Sequence, residues 1–176
     1  MALQPQHIAA PATLASLAIT DLTIIGDPAL LDQMTLALFS SVQCPGHIIL
    51  KLHDRAHELA AAGTGVISPF HSPLEQEALT ILLRGQGPLV ICPARGIGSM
   101  RIPQAYRPHI DAGRLAILSP FPDTQKRATQ QIAALRNQMV ALLAQRVLIA
   151  HAAPGGKMAA FCAWLTMQNH RIERLD

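Results

Sequence analysis

The residues best placed to do chemistry lie in the stretch ALRNQMVALLAQRVLIAHAAPGGK, residues 134–157. It begins with a helical pattern that carries Arg136 and Asn137, continues through an apolar run from Val147 to Ala150, and breaks at Pro154-Gly155-Gly156-Lys157. Glycine lets a backbone approach a ligand closely, and the free N–H groups at a helix start attract an anion. Lys157 adds a charge at the same place. A plain strand-to-helix turn would need the same glycines for its geometry, and neither a GxGxxG nor a Walker pattern is present. Arg136 alone on an amphipathic helix would usually snorkel to solvent.

Other chemistry-bearing residues are more easily explained by structure. His53 and His57 stand one helical turn apart in HDRAH, where Asp54 replaces the Glu of HExxH. Two ligands do not make a metal site and no third is spaced for it, so no metal or other cofactor is expected. Glu75 and Glu77 fall in the first turn of a helix, where the dipole favours acids. Cys92 ends an apolar strand and precedes Pro93, which suits an inert buried thiol better than a nucleophile. No Ser/His/Asp or Cys/His pattern stands out, and no catalytic residue is assigned.

These residues need elements to position them. Short apolar strands at 22–26, 35–39, 65–68, 88–92, 114–119 and 146–150 alternate with helical patterns at 47–63, 73–85, 105–113, 124–145 and 157–169. A short last strand falls near Ile172. This alternation predicts an α/β fold with a mostly parallel sheet and helices on both faces. Ligands in such folds bind beyond the carboxyl ends of the strands. Those ends are Ser40-Ser41, Ser68-Pro69, Cys92 to Gly96, Ser119-Pro120 and His151 to Lys157. Residues 1–20 read as an N-terminal tail or apolar docking segment, and 21–176 as one domain.

Composition narrows the partners. Half of the 176 residues are hydrophobic and 14% are charged, which excludes a disordered chain. Aromatics make up only 3%, which argues against a surface of rings on which bases stack in series. The three cysteines are far apart, as in a reduced, cytoplasmic protein. No apolar run reaches membrane-spanning length, and the N-terminus lacks the basic start of a secretory signal. Residues 1–88 hold three basic and seven acidic side chains, whereas residues 89–176 hold eleven basic and four acidic. An anionic partner should therefore meet the second half.

In order and spacing, from about residue 22 to the C-terminus, these pieces resemble the Rossmann-like domain of the DNA-processing protein family, DprA/Smf. LTIIGDPALL looks like the family's lead-in to its first core strand. ALFSSVQCPG stands where the family has a strand and Gly-Ser-Arg. GVISPFHSPLE stands at a strand with Ser-Gly and a later Gly-Ile-Asp. RLAILSPFP matches a strand and Ser-Glu-Phe-Pro. RNQMVALLAQRVLIAHA matches the Arg-Asn-Arg helix and its strand, and APGGKMAA falls at the Ser-Gly-Ser loop. The resemblance implies a doubly wound Rossmann-like fold and a dimer. It further implies a positively charged pocket for single-stranded DNA or a nucleotide phosphate, and delivery of that strand to the recombinase RecA. The implied pocket comprises Ser40, Ser41, Ser68, Arg95, Gly96, Arg136, Asn137, Gly155, Gly156 and Lys157.

The departures all thin this pocket. Ser40-Ser41-Val42 replaces Gly-Ser-Arg, Pro69 replaces a glycine, Pro73-Leu74-Glu75 replaces Gly-Ile-Asp, and Gln138 replaces the second Arg. The chain is also similar in layout to the cytokinin-activating phosphoribohydrolases (lysine-decarboxylase-like proteins), whose loop reads Pro-Gly-Gly-x-Gly-Thr-x-x-Glu. Pro154-Gly155-Gly156 and Arg136 fit that layout, which makes a nucleotide sensor or phosphoribohydrolase the alternative. Met158 and Ala159 stand for its Gly-Thr, however, and Cys162 falls where its catalytic Glu would be. Without that carboxylate, hydrolysis of an N-glycosidic bond is not expected.

Overall fold

The computed structural model describes residues 3–176. Its strands are β1 (Gln6–Ala9), β2 (Asp21–Ile25), β3 (Leu36–Phe39), β4 (Val66–Ser68), β5 (Leu89–Ile91), β6 (Leu115–Ser119), β7 (Arg146–Ile149) and β8 (Ile172–Arg174). Its α-helices are α1 (Gly46–Ala62), α2 (Pro73–Leu83), α3 (Arg107–Asp111), α4 (Gln130–Leu142) and α5 (Lys157–Met167). Among the described residues the strands form one sheet in the order β1-β2-β6-β5-β4-β3-β7-β8.

From β6 across to β8 every pairing is parallel, with Leu36 opposite both Val66 and Arg146. β1 and β2 add to one edge in antiparallel fashion. The mostly parallel, doubly wound architecture expected from the sequence is therefore present. The central strands are buried throughout, and apolar except for Ser68 and Ser119 at their ends, because helices cover both faces. One core lies under α1, α2 and α3 and includes Leu52, Leu59, Leu79 and Ile117. The other lies under α4 and α5 and includes Phe39, Met139, Ile149 and Leu165. No helix among the described residues is long and apolar enough to cross a membrane.

Two segments differ from or add to the sequence pattern. The helix read over 124–145 is α4, and it starts only at Gln130. Thr129 stops it, because its hydroxyl caps the helix by accepting the Ile132 N–H at 3.2 Å. Residues 122–125 instead form a turn, in which the Gln125 N–H donates to the Pro122 carbonyl. Residues 1 and 2 of the N-terminal segment lie outside the described residues. Within the rest, β1 pairs with β2, and Leu14, in a 3-10 turn over Ala12–Leu17, is fully buried.

Candidate functional site

The sheet order reverses between β3 and β7. The chain winds from β3 through β4 and β5 to β6 on one side, and from β7 to β8 on the other. The loops after β3 and β7 therefore diverge to opposite faces and leave a crevice, the place where open α/β sheets bind ligands. Here the loops are Ser40–Pro45 and Ala150–Gly156. They are tied across the crevice. The Ser41 N–H donates to the His151 carbonyl at 3.0 Å, and the Ala153 N–H donates to Ser41 Oγ at 3.1 Å.

A cleft of about 420 Å³ opens at this point. Ser40, Ser41, Arg136, Asn137, Gly156 and Lys157 line it, so six of the ten expected residues converge. Gly155 sits beside them at φ +70°, a left-handed conformation that favours glycine and lets the loop turn into α5. No side chain caps α5 at Gly156. Its first N–H groups thus lack intrahelical partners next to the exposed Lys157, which suits an anion.

Arg136 is not the solvated cation that a surface helix would carry. It is 5% exposed, its Nε donates to Asn137 Oδ1 at 2.8 Å, and its Nη1 donates to the Cys92 carbonyl at 3.0 Å. Nη2 has no hydrogen-bond partner among the described residues, although Arg136 lines two clefts. Burial pulls its pKa below the ordinary arginine value, and the nearby Glu75 carboxylate opposes that shift.

Glu75 is the residue that sequence reasoning missed. It is 3% exposed, and both of its oxygens are occupied. Oε1 accepts the Ser40 N–H at 2.9 Å, and Oε2 accepts the His71 and Ser72 N–H groups at 2.8 and 3.1 Å. Ser72 Oγ in turn accepts the Glu75 N–H, completing a capping box. Burial raises the Glu75 pKa, opposed by these three N–H bonds and by Arg136. The Ser-x-x-Glu spacing of Ser72 and Glu75 was a legible signal for the cap. Nothing in the spacing showed that the carboxylate would also hold the Ser40 loop.

Three expected residues lie outside this cleft. Ser68 is fully buried, and its hydroxyl donates to the Leu38 carbonyl and accepts the Phe70 N–H, so it ties β4 to β3. Arg95 is exposed and lines a neighbouring cavity of about 450 Å³, which shares Pro69, His71, Ala133 and Arg136 with the first. Gly96 packs against the 122–125 turn, where a β-carbon would overlap the Pro122 carbonyl oxygen and sit 2.7 Å from Asp123 Cα. Exposed Lys126 and Arg127 precede Ala128, which also lines the second cavity, and they extend the basic stretch.

The other candidates have structural explanations. His53 pairs with Glu77 at 2.6 Å on the surface, and no group of metal-ligating side chains forms among the described residues. Cys92 is fully buried, and burial pushes its thiol up to about 12.

No protein-family model matches the chain, and no curated protein matches it. Solved structures do. The chain is similar to DNA processing protein A (DprA) from Streptococcus pneumoniae, with a TM-score of 0.77 and 16% identity over 96% of this chain and 62% of that one. It is also similar to DNA processing protein A from Helicobacter pylori, a structure described for its single-stranded DNA binding mode. There the TM-score is 0.78 and the identity 16% over 98% of this chain and 80% of that one. The chain has the fold of these DprA structures, in agreement with the resemblance carried by its motifs. It spans less than two thirds of the length of the S. pneumoniae chain.

Proposed function

We propose that this chain is a DprA-like protein that binds single-stranded DNA, or another nucleotide phosphate, in the cleft between β3 and β7, without catalysing a reaction. The observation that carries this reading is the convergence of Ser41, Arg136, Asn137, Gly156 and Lys157 at the point where the strand order reverses. Lys157 supplies an exposed charge, the start of α5 supplies N–H donors, and the buried Arg136 supplies a fixed guanidinium. The adjoining cavity lined by Arg95 continues the cleft, so that a phosphate backbone has a path across the sheet end. The further features of the proposal are a cytoplasmic homodimer and delivery of the strand to RecA. They are supported by the resemblance to DprA alone.

The chemistry of the cleft disfavours the phosphoribohydrolase alternative. Glu75 is the only carboxylate lining it among the described residues, and both of its oxygens are already bound to backbone N–H groups. No carboxylate there is free to assist water. The test is binding of a labelled single-stranded oligonucleotide at low salt, beside incubation with nucleoside monophosphates. The proposal expects saturable binding and no release of free base. Absence of binding would overturn it, and base release would support the hydrolase instead.

A further inference from the structure

A second groove opens beside the phosphate cleft, between α4 and α5. Its volume is about 330 Å³, at the lower end of small-ligand sites. Ala133 and Ala134 on α4 face Ala160 on α5, and these small side chains leave the space open. Phe161 and Trp164 close one side, with their rings stacked at 5.9 Å and 11°. Gln130 and Gln138 add carboxamides, each of which both donates and accepts hydrogen bonds.

The groove is not separate from the cleft. Ala133, Asn137 and Lys157 line both. A ligand whose anionic group sits at Lys157 would therefore place its neighbouring part against the apolar wall. That part must be compact and largely apolar, with donors and acceptors on its edge to meet the carboxamides. A nucleobase has these properties.

We infer that the α4–α5 groove seats one nucleobase of the nucleotide whose phosphate occupies the cleft at Lys157. This rests on the reading of the cleft as a nucleotide-phosphate site. It adds that the protein holds a base as well as a backbone. The base would come either from a DNA strand or from a free nucleotide.

The sole tryptophan, Trp164, makes the groove directly observable. Its emission is followed during titration with a thymidine oligonucleotide, an abasic oligonucleotide of the same length, thymidine monophosphate and inorganic phosphate. Affinities of the two oligonucleotides are measured in parallel by competition against a labelled strand. The base-bearing strand is expected to quench Trp164 and to bind about tenfold more tightly than the abasic strand. Quenching by thymidine monophosphate alone would support the inference and identify the free nucleotide as its source. Ala160→Leu, at an exposed position, fills the groove. It is expected to bring the thymidine strand down to abasic affinity while leaving abasic binding and thermal unfolding unchanged. Equal binding of the two strands with equal emission would overturn the base seat and leave the phosphate cleft standing. No binding by any of the ligands at low salt would overturn both. Quenching by an apolar peptide but by no base-bearing ligand would assign the groove to a protein partner and overturn the inference.

Discussion

At the residue scale, the cleft is braced by a buried carboxylate whose two oxygens are both taken by backbone N–H groups. Glu75 gathers three N–H groups from Ser40, His71 and Ser72 and faces Arg136, so it fixes the loop after β3 against the start of α2. Glu75→Ala orphans those donors and leaves Arg136 without its counter-charge. It should destabilise the fold by about 3 kcal/mol, measured by chemical denaturation. Lys157→Ala should leave stability unchanged, because that side chain is exposed. Cys92 gives an independent check. A fully buried thiol with a pKa near 12 should resist alkylation of the native protein at pH 8 and react only on unfolding, as read by mass spectrometry. Early labelling of Cys92 would contradict its assignment as inert.

At the element scale, the sheet was legible because its strands are apolar runs, and its parallel pairing followed from the helices between them. β1 was not legible: Gln6-His7-Ile8-Ala9 is a short edge strand with one partner and mostly exposed side chains, so it carries no apolar pattern. The helical pattern runs past the start of α4 because Gln125, Lys126 and Arg127 are good helix formers, and only the Thr129 cap after them marks where the helix begins. Of the six expected residues that line the cleft, Ser40, Ser41, Gly156 and Lys157 are legible from their place just beyond strand ends, whereas Arg136 and Asn137 lie within α4 and are picked out only by the resemblance. Ser68 and Gly96 were not, because a serine or glycine at a strand end serves the backbone as readily as a ligand. Gly96→Ala should therefore lower the melting temperature by forcing the 122–125 turn away; an unshifted melting temperature would contradict its packing role. The end of β8 should respond to acid. Arg174, at 2.8 and 3.0 Å, holds the Asp176 carboxyl at about 2, below its usual 3.8. A depressed carboxylate pKa stabilises the fold above the usual value, and that stability is lost as pH falls toward 2. Asp176→Asn should remove this part of the acid sensitivity in unfolding curves between pH 4 and pH 2.

At the scale of the whole molecule, charge and topology point to the same place. The basic half of the sequence supplies α4, β7 and α5, and the reversal of strand order sets the starts of the loops beside them apart. Arg95, Arg136 and Lys157 then stand along adjoining cavities at one end of the sheet rather than scattered over the surface. The fold is shared with DprA structures at 16% identity. Whether the cleft holds a strand is tested most directly by oligonucleotide affinity as a function of salt, for the native protein and for Lys157→Ala. For the native protein the logarithm of the affinity should fall linearly with the logarithm of the salt concentration, and Lys157→Ala should bind more weakly with a slope shallower by about 0.7, the single-strand contribution of one phosphate contact. Salt-independent affinity, or identical slopes for the two proteins, would contradict a phosphate seat at Lys157.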